Sequence, residues 1–322
     1  MRNSGIRATS TEPSWVSYTY EATGVEHKTE KPAGVFRIMV LGDSFMEGAS
    51  VWLEEIFARR LENLARASEF KIEVISLALS GRGTLDECLM YDLHGNACQP
   101  DFVLLAFFPI NDLRENNREL EPKDSPPYLL PGKLKRRADQ LAALQENRMG
   151  LIHQLAIRQL IRRALHYHDN RNKKPHIAFY EELLEVHQCE EAPAFTRAWQ
   201  PTERILRRLR DEVTKNDASL IVFSAPAKID VDPTHRKYVL DRIENSDRFC
   251  IEEGAVFTRL KNLLKKLEIE YIDLLPEFEA VHRRKNIHLH GAEDYRWNAA
   301  GHHHAARIVW REIQRRELIP SP

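Results

Sequence analysis

The 322-residue sequence has no long apolar run, few cysteines and almost no excess of charge. No stretch approaches the roughly 20 consecutive apolar residues that a membrane-spanning helix needs. Residues 1–31 are polar and lack the apolar core of a signal peptide. Lysine and arginine total 47 against 48 aspartate and glutamate, so the net charge is −1 and favours neither nucleic acid nor an anionic membrane as a partner. As written, the sequence predicts a soluble, cytoplasmic protein. If the natural chain is longer at its N-terminus, an exported or membrane-anchored protein becomes the expectation.

The four cysteines are scattered along the chain, at Cys88, Cys98, Cys189 and Cys250. Without CxxC spacing they predict neither a zinc site nor a dense disulfide framework. A reducing compartment is the simplest interpretation, although four buried thiols in an exported protein would give the same pattern. The chain also lacks GxGxxG and a Walker lysine after its first predicted strand, which argues against the common nucleotide-binding loops.

Short apolar strands alternate with amphipathic helices along most of the chain. Strands are predicted at residues 36–41, 71–77, 101–107, 219–224 and 270–274. Helices are predicted at residues 54–67, 84–93, 201–215, 252–267 and 299–316, the last with Asn298 as its N-cap. This alternation predicts an α/β fold: a three-layer α/β/α sandwich around a five-stranded parallel sheet. We expect residues 1–34 to form a lead-in and residues 35–322 to form one domain.

The segment at about 113–200, after the third strand, leaves this alternation and predicts a helical insertion or cap. It contains two predicted helices, at residues 133–147 and 150–168. Residues 133–174 carry 11 lysines and arginines against 3 acidic residues, whereas residues 175–195 carry five glutamates and no basic residue. Pairing within the cap is the simplest interpretation, and a role for the basic face at a membrane surface or an anionic substrate stays open.

Glycine and polar residues follow the first three predicted strands and the fifth. The segments are Gly42-Asp43-Ser44-Phe45, Ser80-Gly81, Asn111-Asp112 and Asp294-Tyr295-Arg296-Trp297-Asn298. The carboxyl ends of parallel strands meet at one edge of the sheet, where sites form. Ser44 can expose its hydroxyl and its own amide there, Gly81 can offer a second amide, and Asn111 can offer a side-chain NH₂. Each is an ordinary turn residue on its own, but together they predict three donors around one oxyanion.

In this order, the motifs resemble those of SGNH hydrolases, also called GDSL-type esterases. The resemblance implies Ser44 as nucleophile, an oxyanion hole from the Ser44 amide, Gly81 and Asn111, and Asp294 as the aspartate of the triad. It implies serine-dependent hydrolysis or transfer of acyl esters, with small acyl groups on carbohydrate as expected substrates. It implies no cofactor and no metal ion. Residues 36–117 and 257–313 carry the resemblance, and the insertion matches none of its motifs.

The sequence departs from that family where its catalytic histidine should stand, because this position is Arg296. An arginine stays protonated near neutral pH and cannot act as a general base. His290 is the alternative base, since its loop can fold back towards the serine. His302–His304 are expected to be structural, because consecutive helical positions point in different directions and cannot share one metal ion. Pro109 also replaces the usual glycine of the third block, which predicts a stiffer loop.

Two functions therefore stay open. One is an acyl-ester hydrolase or transferase whose base is a displaced histidine or a group of the substrate. The other is a catalytically impaired module that binds a glycan or an anionic ligand, with Arg296 as the clamp for a carboxylate or phosphate. The sequence gives no indication of an oligomeric state.

Overall fold

A computed structural model describes residues 15–17, 26–28, 30–48, 50–117, 119–120, 177–285, 287–292 and 295–319. The helices predicted at 133–147 and 150–168 lie outside the described residues, and so does Asp294. Two short antiparallel strands, β1 (Trp15–Ser17) and β2 (Glu26–Lys28), fall within the expected lead-in. The division of the chain at residue 34 stays a prediction.

The core of the fold is the predicted five-stranded parallel sheet, which is confirmed. Its strands are β3 (Phe36–Leu41), β4 (Ile72–Ser76), β5 (Phe102–Phe107), β6 (Ser219–Ser224) and β7 (Glu270–Ile272). The order across the sheet is β4-β3-β5-β6-β7, and all neighbouring pairs are parallel. The chain crosses from one side of β3 to the other between β4 and β5. In open sheets the crevice at such a reversal, here between β3 and β5, is the usual place for a site.

Helices cover both faces of the sheet. They are α1 (Ser44–Glu47), α2 (Phe57–Ala67), α3 (Thr84–Cys98), α4 (Pro109–Glu115), α5 (Ile177–Leu184), α6 (Pro193–Lys215), α7 (Lys228–Val231), α8 (Pro233–Leu240), α9 (Ala255–Lys266), α10 (Leu275–Lys285) and α11 (Ala299–Arg315). Single 3₁₀ turns occupy residues 53–55, 185–187, 246–248 and 251–253. Right-handed crossovers place α2 and α3 on opposite faces, where α2 packs against α11 and α3 against α6. None of the described helices is long and apolar enough to cross a membrane.

Two prolines occupy helical positions that the sequence analysis did not expect. α6 begins at Pro193 and runs through Pro201, which was predicted to be its first residue. A proline inside a helix removes one backbone hydrogen bond, but burial of Phe195 and Trp199 favours helix before it. Pro109 is the first residue of α4 and not part of a loop. At the first position of a helix, the N–H that proline lacks would have no partner within the helix, so no hydrogen bond is lost.

A buried ion pair holds the start of β3 to its neighbours. The Arg37 side chain is fully buried, and its Nε donates to Glu73 Oε2 on β4 at 2.8 Å. The guanidinium also donates to the carbonyl oxygen of Cys98 at the end of α3. The backbone amide of Arg37 donates to Asp101 at 2.7 Å. These partners compensate for removing the charge from water.

Cys189 and Cys250 form a disulfide, so the expectation of four reduced thiols is wrong for this pair. The cysteines are 61 residues apart, and no local spacing signals their pairing. Backbone hydrogen bonds flank the disulfide, from Cys189 N to Arg248 O and from Cys250 N to His187 O, each at 2.8 Å. Cys88 and Cys98 are free and buried. Disulfides persist in oxidising compartments, so this pair does not favour the reducing one.

Candidate active site

Ser44 is the first residue of α1, directly after the carboxyl end of β3. Asp43 caps this helix, because its Oδ1 accepts from the Phe45 amide at 2.9 Å. The carbonyl oxygen of Asp43 accepts from the amides of Met46 and Glu47. The hydrogen bonds of the turn thus use the amides of residues 45–47, and the Ser44 amide is not among them.

Gly42 allows the turn to pack closely on the sheet. A Cβ at this position would lie 2.5 Å from Met46 Cγ and 3.2 Å from the Cβ of Ala106 on β5. Carbon atoms in van der Waals contact lie about 3.5–4.0 Å apart, so the position excludes a side chain. The glycine therefore sets α1 directly over the ends of β3 and β5.

Asn111, in α4, joins the turns that follow β3 and β4. Its Nδ2 donates to Asp43 Oδ2 at 3.0 Å and to the carbonyl oxygen of Arg82 at 3.3 Å. The structure thus brings together the neighbourhoods of Ser44, Gly81 and Asn111 at one edge of the sheet. Both amide hydrogens of Asn111 are engaged in these contacts. One of them must be released before Asn111 can donate to a substrate.

Gly81 lies in the exposed turn after β4 with φ +69°, in the left-handed region that favours glycine. A Cβ there would meet nothing within 4 Å, so conformation and not space requires the glycine. The preceding Ser80 is held by Glu47, a buried residue of α1 that accepts from the Ser80 amide at 2.9 Å and from its hydroxyl. Glu47 therefore positions the Gly81 turn beside Ser44. The sequence analysis missed this role, because a lone glutamate carries no motif.

Arg296 lies close enough to Asp43 for its charge to act on that carboxyl. Burial raises the pKa of Asp43 to about 6, and the positive charge of Arg296 partly opposes this rise. The guanidinium carbon lies 4.6 Å from the centre of the Tyr295 ring. That ring stacks on Phe108, with centroids 5.9 Å apart and an interplanar angle of 17°. The position expected for a base thus holds a cation beside the turn that carries Ser44.

No protein-family model and no curated protein matches the chain. Its structure is similar to many solved structures, and three examples follow. One is the acetyl xylan esterase AlAXEase, with a TM-score of 0.47 and 11% identity over 86% of this chain and 100% of that one. Another is Axe2, an acetylxylan esterase from Geobacillus stearothermophilus, with a TM-score of 0.44 and 16% identity over 86% and 94%. The third is TesA, with a TM-score of 0.44 and 9% identity over 87% and 98%. At such low identity and TM-score, function has to be argued from this chain's own residues.

His290, the alternative base, is buried, and its Nε2 lies 3.0 Å from the carbonyl oxygen of Pro226. A carbonyl only accepts, so Nε2 must carry the hydrogen. Burial lowers the pKa of His290 to about 3, which keeps the ring neutral. Trp297 Nε1 donates to the same carbonyl at 3.1 Å. These contacts favour a structural role, as they do for His302, whose Nδ1 accepts from the Phe57 amide at 3.2 Å.

A cluster of carboxyl groups adjoins Asp43, formed by Asp86 and Glu87 of α3 and Asp112 and Glu115 of α4. Burial and mutual repulsion raise the pKa values of Glu87 and Asp112 well above their usual range, and that of Glu115 to about 7. Arg82 pairs with Asp86 at 3.4 Å. Burial thus favours the protonated forms of Glu87, Asp112 and Glu115. Asp86, Glu87 and Asp112 lie in first helical turns, where acidic residues are common, and Glu115 ends α4. The sequence does not show that α3 and α4 meet here.

Proposed function

We propose that this protein hydrolyses or transfers acyl esters through Ser44, in a site of the SGNH type. One observation carries the proposal: Asn111 contacts both Asp43 and the carbonyl of Arg82. That contact joins the turns that bear the Ser44 hydroxyl and the three oxyanion donors. Small acyl groups on carbohydrate are the proposed substrates, on the resemblance of the motifs.

In the proposed reaction, Ser44 Oγ attacks the ester carbonyl carbon, and the carbonyl oxygen becomes the oxyanion. The bond to the alcohol oxygen then breaks, and the alcohol leaves with a proton. Water, or a second alcohol, releases the acyl group from the serine. The Ser44 amide, the Gly81 amide and Asn111 hold the oxyanion, with Asn111 giving up its bond to Arg82. In comparable enzymes, loss of one such donor costs about 2.7–4 kcal/mol.

Arg296 supplies a positive charge near this oxyanion, but it cannot take the proton of Ser44. That proton passes to a displaced histidine or to a group of the substrate. Asp294, the proposed triad aspartate, would in an ordinary site orient the missing histidine.

Binding without turnover is the second candidate function. Two observations favour it: Arg296 stands at the place of the base, and both amide hydrogens of Asn111 already have acceptors. In this candidate, Arg296 holds a carboxylate or phosphate of the ligand above the same turn. An enzyme lacking one triad member still retains about 10³–10⁴-fold catalysis over water. Weak turnover alone therefore does not separate the two candidates.

The test is hydrolysis of p-nitrophenyl acetate by the unaltered chain, Ser44→Ala and Arg296→His. Ser68→Ala is the matched control, since Ser68 lies at the end of α2 and outside the site. The chain has 14 histidines, and exposed imidazoles can cleave this ester non-specifically, so only activity that depends on Ser44 counts. We expect such activity in the unaltered chain and in the control, and its loss in Ser44→Ala.

The Arg296→His variant separates the candidates. The binding module would be favoured if the unaltered chain shows no Ser44-dependent activity and Arg296→His hydrolyses the ester faster by several orders of magnitude. Activity already present in the unaltered chain would favour the hydrolase. If none of the proteins shows turnover that depends on Ser44, the assignment of the site is wrong.

A further inference from the structure

A second group of polar side chains, outside the ester site, has the composition of a metal centre. It consists of Asp232, His282 and His288, which offer one carboxylate oxygen and two imidazole nitrogens, all within 4.8 Å of one another. We propose that these three residues bind a divalent transition-metal ion of the zinc class. Two imidazoles and a carboxylate suit zinc and its neighbours, whereas calcium and magnesium prefer oxygen ligands.

The distances are close to those of a bound ion. Asp232 Oδ1 lies 3.6 Å from His282 Nε2. Ligands held at 2.0–2.2 Å around a tetrahedral ion lie about 3.4 Å apart. The rings of His282 and His288 have centroids 5.6 Å apart. His288 is exposed, so rotation of its side chain can bring its imidazole nitrogen to ligand distance from the other two residues.

The hydrogen bonds of His282 favour the tautomer that a metal requires. Its Nδ1 lies 3.3 Å from the carbonyl oxygen of Ile287, which can only accept, so Nδ1 carries a hydrogen. In the neutral ring, Nε2 then presents a lone pair towards the Asp232 carboxylate. A proton on Nε2 would link the two groups as an ion pair, and a metal ion can take the place of that proton. A backbone carbonyl on the other ring nitrogen is the usual support for a ligand histidine.

Asp232 is fixed in place by the helix that it caps. Its Oδ1 accepts from the amides of Thr234 and His235, each at 3.0 Å, at the start of α8. The Asp232 side chain is only 11% exposed. The neighbouring cation, Lys228, donates to the carbonyl oxygens of Gly291 and Ala292. The carboxylate thus keeps one position, while the lysine holds the adjoining loop.

An ion at this site would join three parts of the chain: the start of α8, the end of α10 and the loop 287–292. That loop leads to Arg296. Asn298 Nδ2 donates to the carbonyl oxygens of His288 and His290, each at 2.9 Å, and so connects the loop to the start of α11. Metal binding would restrain the segment that carries Arg296, whether or not the ester site turns over.

The experiment measures Zn²⁺ binding by competition with a chromophoric chelator and by thermal unfolding. It compares the metal-free chain with Asp232→Asn, His282→Ala and His288→Ala. Asparagine is as good an N-cap as aspartate, so Asp232→Asn keeps the start of α8. The exposed His288 can be removed without opening the core. His303→Ala, on α11, is the control for loss of a histidine elsewhere.

We expect the unaltered chain to bind one tight equivalent of Zn²⁺ that raises its melting temperature. Each of the three variants should lose at least about tenfold in affinity, and His303→Ala should not. Co²⁺ should bind in the same place with visible ligand-field absorption, and excess Ca²⁺ should not displace Zn²⁺. The proposal is wrong if no tight equivalent binds, if it survives in His288→Ala, or if Ca²⁺ displaces it. Because no ester is used, failure here leaves the proposed function untouched.

Discussion

Breaking the Cys189–Cys250 disulfide should lower the free energy of unfolding by about 4 kcal/mol. The two cysteines are 61 residues apart. Opening a loop of that length returns to the unfolded chain about 14 cal/mol/K of entropy, or about 4 kcal/mol at 25 °C. In the folded state the two segments remain paired, because the hydrogen bonds to Arg248 O and His187 O at 2.8 Å do not need the disulfide. The loss should therefore come mainly from the unfolded state.

The assay is urea unfolding followed by tryptophan fluorescence, with and without a phosphine reductant. Reduction should destabilise the unaltered chain to about the stability of Cys189→Ala/Cys250→Ala. The same reductant should not change the double variant, although Cys88 and Cys98 remain in it. The denaturant dependence should also rise on reduction, because the unfolded chain then exposes more surface. A loss below about 1 kcal/mol, or a response of the double variant to reductant, would refute the reasoning.

Three further predictions concern the core and the acidic cluster. Burial and nearby carboxylates raise the folded-state pKa of Glu115 from 4.5 to about 7, so the unaltered protein loses stability as the pH rises through this window. Above pH 7, Glu115→Gln should therefore be more stable than the unaltered protein, by up to about 2 kcal/mol after allowing for partial exposure. Urea unfolding at several pH values measures this difference in free energy of unfolding, and a difference that does not vary with pH would contradict the prediction. Gly42→Ala should lower the free energy of unfolding by about 1–3 kcal/mol, because the added Cβ would clash with Met46. An unchanged melting temperature would exclude this explanation. Glu73→Ala should lower the free energy of unfolding by about 3 kcal/mol, because it leaves the buried Arg37 charge without its carboxylate. Adding Arg37→Met should restore part of that stability, as measured by chemical unfolding.

The strands could be predicted from the sequence because their signal is local. β3 and β6 have the predicted bounds, since each is built on a short apolar run, Ile38–Leu41 or Leu220–Phe223, that ends at a glycine or a serine. Helix ends were harder to predict. α3 was expected to stop at residue 93, yet it runs through Gly95 to Cys98. A Cβ at Gly95 would lie 2.4 Å from the Tyr91 ring, so this glycine makes room for an aromatic side chain and does not end the helix.

The candidate site could be located from the sequence only where topology fixes it. The strand-end rule was enough to expect that Ser44, Gly81 and Asn111 would come together. It gave no indication of the contact between Glu47 and Ser80, which are 33 residues apart. The metal-type cluster also joins residues with no regular spacing, because Asp232 is far from His282 along the chain. Such contacts depend on how helices pack, which a single sequence does not encode locally.

Backbone contacts fix the position of residue 296. The carbonyl oxygen of Arg296 accepts from the Gly291 amide at 3.0 Å, and the carbonyl oxygen of Tyr295 accepts from the Lys228 amide at 3.3 Å. On the other side, the side chain of Asn298 caps α11 and bonds to the loop before Arg296. None of these bonds uses the guanidinium, so a histidine at 296 should enter an unchanged backbone. A gain of activity in Arg296→His would then show that only the base was missing. If Arg296→His fails with the fold intact, and the unaltered chain also lacks Ser44-dependent turnover, the loop is not the cause and the assignment of the site is wrong.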